Sequence, residues 1–136
     1  MKQSQITYWC HEIIRSQAEA GGCYIDATMG KGNDTLFLCE LAGENGKVLA
    51  FDIQQEALDA TRELLRIHGK EQQAELILDG HEHMDRYAME ESTDVICFNF
   101  GYLPGGDHNL ATTYRTSIEA IGKGLGILKH GGMMSL

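Results

Sequence analysis

Residues 26–34, Asp-Ala-Thr-Met-Gly-Lys-Gly-Asn-Asp, have the composition of a loop that binds a ligand through its backbone. A short apolar run ends in Asp26, glycines follow at positions 30 and 32, and a helical pattern begins directly after them. Glycine lets the main chain approach a ligand because no Cβ stands in the way, and the first amides of a helix have no partner within the helix. The pattern predicts a strand, a glycine loop and a helix, with a ligand at their junction.

A second acidic residue stands where a nucleoside site needs one. The apolar run 48–51 ends in Asp52, about 20 residues after Gly32. In a strand–helix–strand unit, a carboxylate at that distance lies beside the first strand, where it can accept hydrogen bonds from ribose hydroxyls. The first half of the chain is therefore predicted to bind a nucleoside.

The details of the loop favour one class of cofactor. Thr35 stands where the third glycine or alanine of a dinucleotide loop should be, and Gly30-Lys31 lacks the further glycine and the Ser or Thr of a phosphate loop. A pyrophosphate has no use for a carboxylate such as Asp26, whereas the sulfonium and amino groups of S-adenosylmethionine would be attracted by it. An ordinary turn between strand and helix is the structural alternative.

The segment 99–107, Asn-Phe-Gly-Tyr-Leu-Pro-Gly-Gly-Asp, follows the apolar run 94–98. It would place backbone carbonyls and the side-chain oxygen of Asn99 beside the reactive end of the cofactor. An amine that is methylated must aim its lone pair along the S–CH₃ axis while acceptors hold its N–H groups. Tyr102 could stack on a planar base. This segment is predicted to form the methyl-acceptor side, and a simple connecting turn is the alternative.

Composition narrows the class of protein. A chain of 136 residues, 43% hydrophobic, suits a single domain, 1–136. Its formal net charge of −9 argues against a general polyanion binder, although a local basic patch could still serve an RNA substrate. Scattered cysteines favour reduced thiols in a cytoplasmic protein over a zinc site. We expect no bound metal and no membrane span. The candidates for a basic patch are Lys2, Arg15, Lys31, Arg115, Lys123 and Lys129.

Strand and helix patterns alternate along the chain. The predicted strands are 23–27, 47–52, 75–78, 94–98 and a fifth that starts at a turn at 131–132. The predicted helices are 7–20, 34–41, 54–68, 81–89 and one from Thr112 or Thr113 to 128. This order predicts an α/β fold with a doubly wound, mostly parallel, Rossmann-like sheet, and ligands at the carboxyl ends of its strands. The run 131–136 looks like a strand that is cut off, so C-terminal strands are expected to be missing.

Several shorter patterns predict roles for individual residues. Asn33 is predicted to cap the second helix. The run Gly122-x-Gly-x-Gly126 is interpreted as close helix packing, since no acid-ended strand precedes it. The segment 79–82 would face the adenine of a nucleoside, with a solvated or capping cluster as the alternative. Of the histidines, His108 is the only candidate base, and His11, His68 and His130 are expected at the surface or at helix ends.

The motifs together resemble a known family. The stretches Asp26-Ala-Thr-Met-Gly-x-Gly-Asn-Asp-Thr, Phe51-Asp-Ile-Gln54, His81-Glu82 and 99–107, followed by Thr112-Thr113, are similar to the "putative rRNA methylase" family of class I S-adenosylmethionine-dependent methyltransferases. The resemblance extends from about Cys23 to the last residue. It implies an enzyme that methylates tRNA, converting 5-aminomethyl-2-thiouridine at the wobble position to its methylaminomethyl form.

The resemblance also implies roles for individual residues. The acceptor side would contain the catalytic candidates Asn99, Tyr102 and Asp107. A protonated amine must first lose a proton, which Asp107, His108 or a water held by Tyr102 could accept. The partner would be tRNA, and a homodimer is left open. The residues implied to bind S-adenosylmethionine, together with Gly32 of the loop, are Asp26, Gly30, Asn33, Asp52, Gln54, His81, Glu82, Asn99 and Gly101.

The sequence is also compatible with other functions. The acidic surface favours a methyltransferase of small molecules. A module that binds the cofactor without turnover would keep the same nucleoside pocket, and rRNA could replace tRNA as the substrate. A dehydrogenase is disfavoured by Asp26 and Thr35.

Overall fold

The structure, a computed structural model, describes residues 3–99 and 110–136. Five parallel strands form one sheet, and helices pack on both of its faces. The strands are β1 (Cys23–Asp26), β2 (Lys47–Asp52), β3 (Ala74–Leu78), β4 (Thr93–Cys97) and β5 (Leu128–Ser135). The α-helices are α1 (Gln3–Gln17), α2 (Asn33–Ala42), α3 (Gln55–Ile67) and α4 (Leu110–Ile127), and short 3₁₀ helices cover Glu71–Gln73 and His81–Arg86.

The strand order is β3-β2-β1-β4-β5, so the direction of winding reverses beside β1. β1 pairs with β2 on one side and with β4 on the other. In open parallel sheets this reversal leaves a crevice at the carboxyl ends of the two central strands, where ligands bind. The predicted doubly wound parallel sheet is confirmed, and the crevice lies between β1 and β4.

The core has one layer on each face of the sheet. Alternate residues of a strand point to opposite faces, and because both faces are covered, the central strands are apolar almost throughout. One layer contains Tyr24, Val48 and Val95 with Ile14 of α1 and Phe37 and Leu38 of α2. The other contains Ile25, Leu49 and Ile96 with Met84 and, from α4, Ala120 and Ile127.

The starts of three helices differ from the sequence predictions. α1 begins at Gln3 rather than near residue 7, and α4 begins at Leu110, so neither Thr112 nor Thr113 caps it. Asn33 is the first residue of α2 and not its cap. The cap is Gly32, which has φ 93° and makes no side-chain hydrogen bond. Glycine adopts this left-handed backbone conformation at little energetic cost. The helix therefore begins at Asn33, one residue before the predicted start at residue 34.

Two elements in the second half also differ from prediction. Residues 81–86 form a 3₁₀ helix rather than the predicted α-helix; Met84 within it is fully buried in the core, and after it Tyr87 Oη donates to Asp79 Oδ2 at 2.9 Å. β5 begins at Leu128, directly after α4. Its pairing with β4 shifts after Thr93, so the predicted turn at 131–132 lies inside the strand as a bulge, with Gly131 at φ 84°.

The glycines of α4 pack closely at one position only. A Cβ at Gly124 would lie 2.8 Å from Met134 Cε and 3.2 Å from Ile96 Cδ1. A Cβ at Gly122 or Gly126 would meet no atom within 4 Å. The interpretation as close helix packing is therefore confirmed for Gly124 and wrong for the other two.

We expect Gly122→Ala to stabilise the protein by about 0.5–1 kcal/mol, because alanine has the higher helix propensity and nothing opposes its methyl group. Gly124→Ala should be the less stable of the two variants, since its methyl group must displace Met134 and Ile96. Urea unfolding of both variants measures the difference. Equal stabilisation by the two alanines would contradict the packing assigned to Gly124.

Candidate active site

The predicted site residues of four strands meet at one edge of the sheet. Asp26 ends β1, Asp52 ends β2, His81 and Glu82 follow β3, and Asn99 follows β4. Because all strands are parallel, these ends lie side by side around the crevice. Gly101, Tyr102, Asp107 and His108 lie outside the described residues.

Side chains from two other elements hold the glycine loop. Gly30 N donates to Asp52 Oδ2 at 3.1 Å, and Gly30 O accepts from Thr61 Oγ1 of α3 at 3.2 Å. Gly30 has φ 52° and is exposed, and a Cβ there would meet no atom within 4 Å. Its face toward solvent is therefore open to a ligand. A Cβ at Gly32 would lie 3.0 Å from Cα, Cγ2 and Oγ1 of Thr61, so this position needs glycine for both conformation and space.

Asp52 is oriented by two backbone amides. Its Oδ2 accepts from Gly30 N, and its Oδ1 accepts from Gln54 N at 3.0 Å. A carboxylate oxygen has two lone pairs, so each can accept a further hydrogen bond. This geometry suits the two hydroxyls of a ribose. Gln54 contributes its backbone amide here, and its side chain is exposed at the start of α3.

Asp26 lies beneath the loop, fully buried. Thr35 Oγ1 donates to its Oδ2 at 2.6 Å and Thr28 N donates to its Oδ1 at 3.1 Å. Burial raises the pKa of Asp26 to about 7, because desolvation outweighs the two hydrogen bonds that favour the ionised form. The carboxylate thus ties the loop and the first turn of α2 to the end of β1.

Two of the threonines in this arrangement could have been recognised from the sequence. Thr35 stands at the position where the loop departs from the dinucleotide pattern, and its hydroxyl is the reason for that departure. Thr28 lies between Asp26 and the glycines. Thr61 had no sequence signal, because its contact with Gly30 joins residues that are 31 positions apart.

His81 and Glu82 lie beside the crevice. Burial lowers the pKa of His81, which favours the neutral imidazole; Glu82, a hydrogen bond with the backbone of Ala27, and Asp52 oppose that shift. The His81 ring lies 5.7 Å from the ring of Phe98. The Glu82 carboxylate covers Gly80 so closely that a Cβ at position 80 would collide with it.

Asp79 is engaged within its own segment. Its Oδ1 accepts from Gly80 N and bonds His83 Nδ1, each at 2.7 Å, and its Oδ2 accepts from Tyr87 Oη. The hydrogen bond with His83 is the main reason that the pKa of Asp79 is lowered. For Asp79 the capping alternative therefore describes the structure better than contact with an adenine.

Two exposed apolar side chains flank Asp52 and were not singled out from the sequence. Ile53 is 75% exposed, and Leu78, which pairs with Asp52 in the sheet, is 51% exposed. Apolar side chains at the carboxyl edge offer a surface to a flat base. The sequence did contain a signal for both: Ile53 directly follows the acid that ends β2, and Leu78 is the last residue of β3.

The prediction that His11 is a surface or cap residue is wrong. Its Nε2 lies 2.7 Å from Asp34 Oδ1, and its ring stacks on Phe37 with centroids 3.9 Å apart and planes inclined by 3°. These contacts attach α1 to the first turn of α2, beside the glycine loop. His68, by contrast, is the C-cap of α3, as expected.

Other parts of the described structure lack the features of a site. Residues 3–99 and 110–136 contain no cluster of three or more His, Cys, Asp or Glu side chains that could hold a metal ion, and none of their helices is long and apolar enough to cross a membrane. The four cysteines are free, and Cys39 and Cys97 are buried. A cavity of about 600 Å³ beside Asp94 and Lys129 lies at the amino ends of β4 and β5, the edge where such sheets do not bind ligands.

Comparison with known proteins identifies the family. A family model described as "Putative rRNA methylase" matches residues 48–136, which is more than half of the chain. The chain belongs to this family. The resemblance predicted from the motifs is confirmed, and with it, at the level of the family, the class I methyltransferase fold and S-adenosylmethionine as the cofactor.

The relatives of this rRNA methylase-family chain include one curated protein and two solved structures. The chloroplastic tRNA (mnm(5)s(2)U34)-methyltransferase of Arabidopsis thaliana is 33% identical over 98% of the chain and 52% of its own length. The chain thus spans about half of that relative. A Clostridium thermocellum protein described as a "putative rRNA-methylase" is 40% identical, with TM-score 0.87, over 98% of the chain and 70% of its own length. A Streptococcus mutans protein described as a "putative methyltransferase", solved in complex with SAH, is 37% identical, with TM-score 0.79, over 94% of the chain and 70% of its own length.

Replacing Asp26 by asparagine should remove a pH dependence of stability. The folded-state pKa is raised from 3.8 to about 7, so the folded protein holds this proton more tightly than the unfolded chain does. The resulting stabilisation is complete below about pH 4 and is lost as pH rises through about 7. The asparagine side chain could still accept from Thr28 N, and its amide could donate to Thr35. We therefore expect the variant to become more stable relative to wild type from pH 5 to pH 8.

Urea midpoints at several pH values test this, and only the difference between the two proteins is used, so that other titrating groups cancel. Parallel profiles for wild type and the asparagine variant would show that Asp26 does not titrate in this window.

Replacing Gly32 by alanine should disturb the loop more than the same change at an equally strained glycine elsewhere. Gly21 has φ 86° with nothing within 4 Å of a Cβ, whereas Gly32 has φ 93° and Thr61 at 3.0 Å. Each alanine costs about 1–2 kcal/mol for the left-handed backbone. We expect Gly32→Ala to lose more stability than this and to weaken SAH binding at least about tenfold, while Gly21→Ala retains it. Calorimetric titration with SAH measures the affinity of each variant. Equal SAH affinities would contradict the close contact assigned to Gly32 and Thr61.

Proposed function

We propose that the protein is an S-adenosylmethionine-dependent RNA N-methyltransferase that methylates the aminomethyl group of 5-aminomethyl-2-thiouridine at the tRNA wobble position. The observation that carries the substrate is the 33% identity with the Arabidopsis tRNA methyltransferase, which extends over 98% of the chain. The geometry supports methyl transfer, because the nucleoside-binding loop and the segment that begins at Asn99 meet in one crevice.

The residues of the crevice fit the cofactor. The loop backbone at Gly30, Gly32 and Asn33 would hold its amino-acid part, and Asp52 would accept the ribose hydroxyls. Ile53 and Leu78 would flank the adenine, with His81, Glu82 and Gln54 at the rim of the same pocket. When bound, the cofactor supplies a methyl group on a positively charged sulfur. Asp26 lies beneath the loop and holds it in place through its hydrogen bond with Thr28 N.

The acceptor side is proposed to consist of Asn99, Gly101, Tyr102 and Asp107. Asn99 and neighbouring carbonyls would accept the N–H groups of the amine and aim its lone pair at the methyl carbon. Asp107 or His108 would take the proton that the amine must lose, and Tyr102 would stack on the base.

Specific observations favour two other substrates. The family description names rRNA. The net charge of −9 favours a small molecule. Three of the basic side chains expected to form a patch are paired with carboxylates instead: Arg15 with Glu12 on the same helix, Lys123 with Asp85, and Lys129 with Asp94. Lys31 is exposed on the glycine loop itself, beside the crevice.

A homodimer also remains a proposal. α1 exposes large apolar side chains, among them Tyr8 at 59% and Ile13 at 55%. Such a surface suits a protein contact. Light scattering of the full-length protein gives its mass in solution, and a monomer at every concentration tested would end this proposal.

The proposed reaction predicts transfer of label from methyl-labelled S-adenosylmethionine to tRNA. The substrate is total tRNA from cells that carry unmethylated aminomethyluridine, and the label should appear in a wobble uridine nucleoside after digestion. The matched variant is Asn99→Ala in the full-length protein. It should lose at least about tenfold in kcat, since the amine loses an acceptor, and its SAH affinity measures how far Asn99 also contacts the cofactor.

The alternatives give different results. If label appears in rRNA and not in tRNA, the substrate is rRNA. SAH binding without label in any RNA would overturn the RNA assignment in favour of a small-molecule enzyme or a module without turnover.

A further inference from the structure

Thr28 joins the cofactor loop to the acceptor segment. Its backbone N donates to Asp26 Oδ1 at 3.1 Å, which places it at the start of the loop. Its side-chain Oγ1 accepts from the backbone N of Asn99 at 2.7 Å. The two residues are 71 positions apart in the chain, and this hydrogen bond spans the crevice between β1 and β4.

The position of this bond explains why a side chain makes it. β1 and β4 pair through their backbones up to Asp26 and Cys97, and Ala27 N extends the pairing by donating to Cys97 O at 2.8 Å. Beyond that point the loop turns toward the glycines. Asn99, two residues after the end of β4, has the next amide that faces β1. The Thr28 hydroxyl accepts from this amide in place of a main-chain carbonyl.

The opposite side of the same strand is fixed independently. Phe98 N donates to Ser135 O of β5 at 2.8 Å. Successive amides of an extended strand point in opposite directions, so Phe98 is held toward β5 while Asn99 is held toward β1. The backbone at Phe98 and Asn99 is therefore held by two neighbouring elements, and only one of these two contacts, that of Thr28, depends on a side chain.

We propose that Thr28 is a positioning residue for methyl transfer: its hydroxyl fixes Asn99 relative to the loop that holds the cofactor. The role of Asn99 in this proposal rests on the proposed function. Thr28 touches neither reactant in this role. It sets the distance between the donor and acceptor sides of the crevice, and a misplacement of about 1 Å can reduce the rate of such a reaction by about 100-fold.

The test compares Thr28→Val and Thr28→Ser in the full-length protein. Valine has the shape of threonine but no acceptor for Asn99, and the backbone bond from residue 28 to Asp26 is unaffected. Serine keeps the hydroxyl. We expect Thr28→Val to lower kcat by about 10- to 100-fold, with a change of less than about threefold in SAH affinity. Thr28→Ser should recover most of the loss in kcat.

Amide hydrogen exchange of Asn99 provides a readout that does not depend on the substrate. In wild type and Thr28→Ser this amide should be protected, and in Thr28→Val it should exchange at least about tenfold faster, because its acceptor is gone. If the valine variant does not fold, Thr28→Ala replaces it, since alanine and serine differ only in the hydroxyl.

The outcomes separate the two proposals. If wild type labels no RNA while Asn99 loses protection only when the hydroxyl is absent, the proposed function fails and the link between Thr28 and Asn99 stands. Unchanged protection of Asn99 without the hydroxyl, or a kcat equal to wild type, overturns the role of Thr28. Equal losses in the serine and valine variants, accompanied by loss of SAH binding, would reduce Thr28 to a structural residue.

Discussion

The buried carboxylate of Asp26 is the contact on which the rest of the crevice depends. A buried carboxylate is tolerated only when donors satisfy it, and here the donors are the backbone of Thr28 and the hydroxyl of Thr35. Those two bonds fix where the loop leaves β1 and where α2 begins. The loop must then complete its course within a few residues, which it does through left-handed glycines at positions 30 and 32. Threonine at position 35 is therefore a consequence of the acid at 26.

The loop is held by contacts within the protein itself. Asp52 accepts from the amide of Gly30 and Thr61 donates to its carbonyl, so both backbone polar groups of this exposed glycine are bonded by other elements. α1 adds a third support, because His11 bonds Asp34 in the first turn of α2. A ligand that binds such a loop does not have to supply the free energy for ordering it. The site is in this sense a property of the sheet and three helices together, and not of the glycine motif alone.

The sequence predicted what depends on local patterns. Acid-ended apolar runs located β1 and β2, and the glycine spacing located the loop between them. Boundaries went wrong where the sequence does not reveal the backbone conformation: the left-handed Gly32 precedes a helix α2 that starts one residue early, and the segment after β3 is a short 3₁₀ helix instead of an α-helix. The contacts of His11, Thr28 and Thr61 could not be predicted, since each joins residues that only the crossovers of the sheet bring together. The segment 100–109, with Tyr102 and Asp107, keeps its predicted role untested.

Three of the acidic residues, Asp26, Asp34 and Asp52, lie at or near this crevice, and their charge affects which ligands can bind there. Burial is the main cause of the raised pKa of Asp26, and repulsion from the nearby carboxylates of Asp34 and Asp52 adds to it. A cationic ligand placed among them relieves that repulsion, whereas a phosphate would add to it. The negative charge that argues against a general polyanion surface therefore matches the charge of the cofactor. Any RNA contact must be made away from these acids, at the rim where Lys31 is exposed or on parts of the protein beyond the residues described.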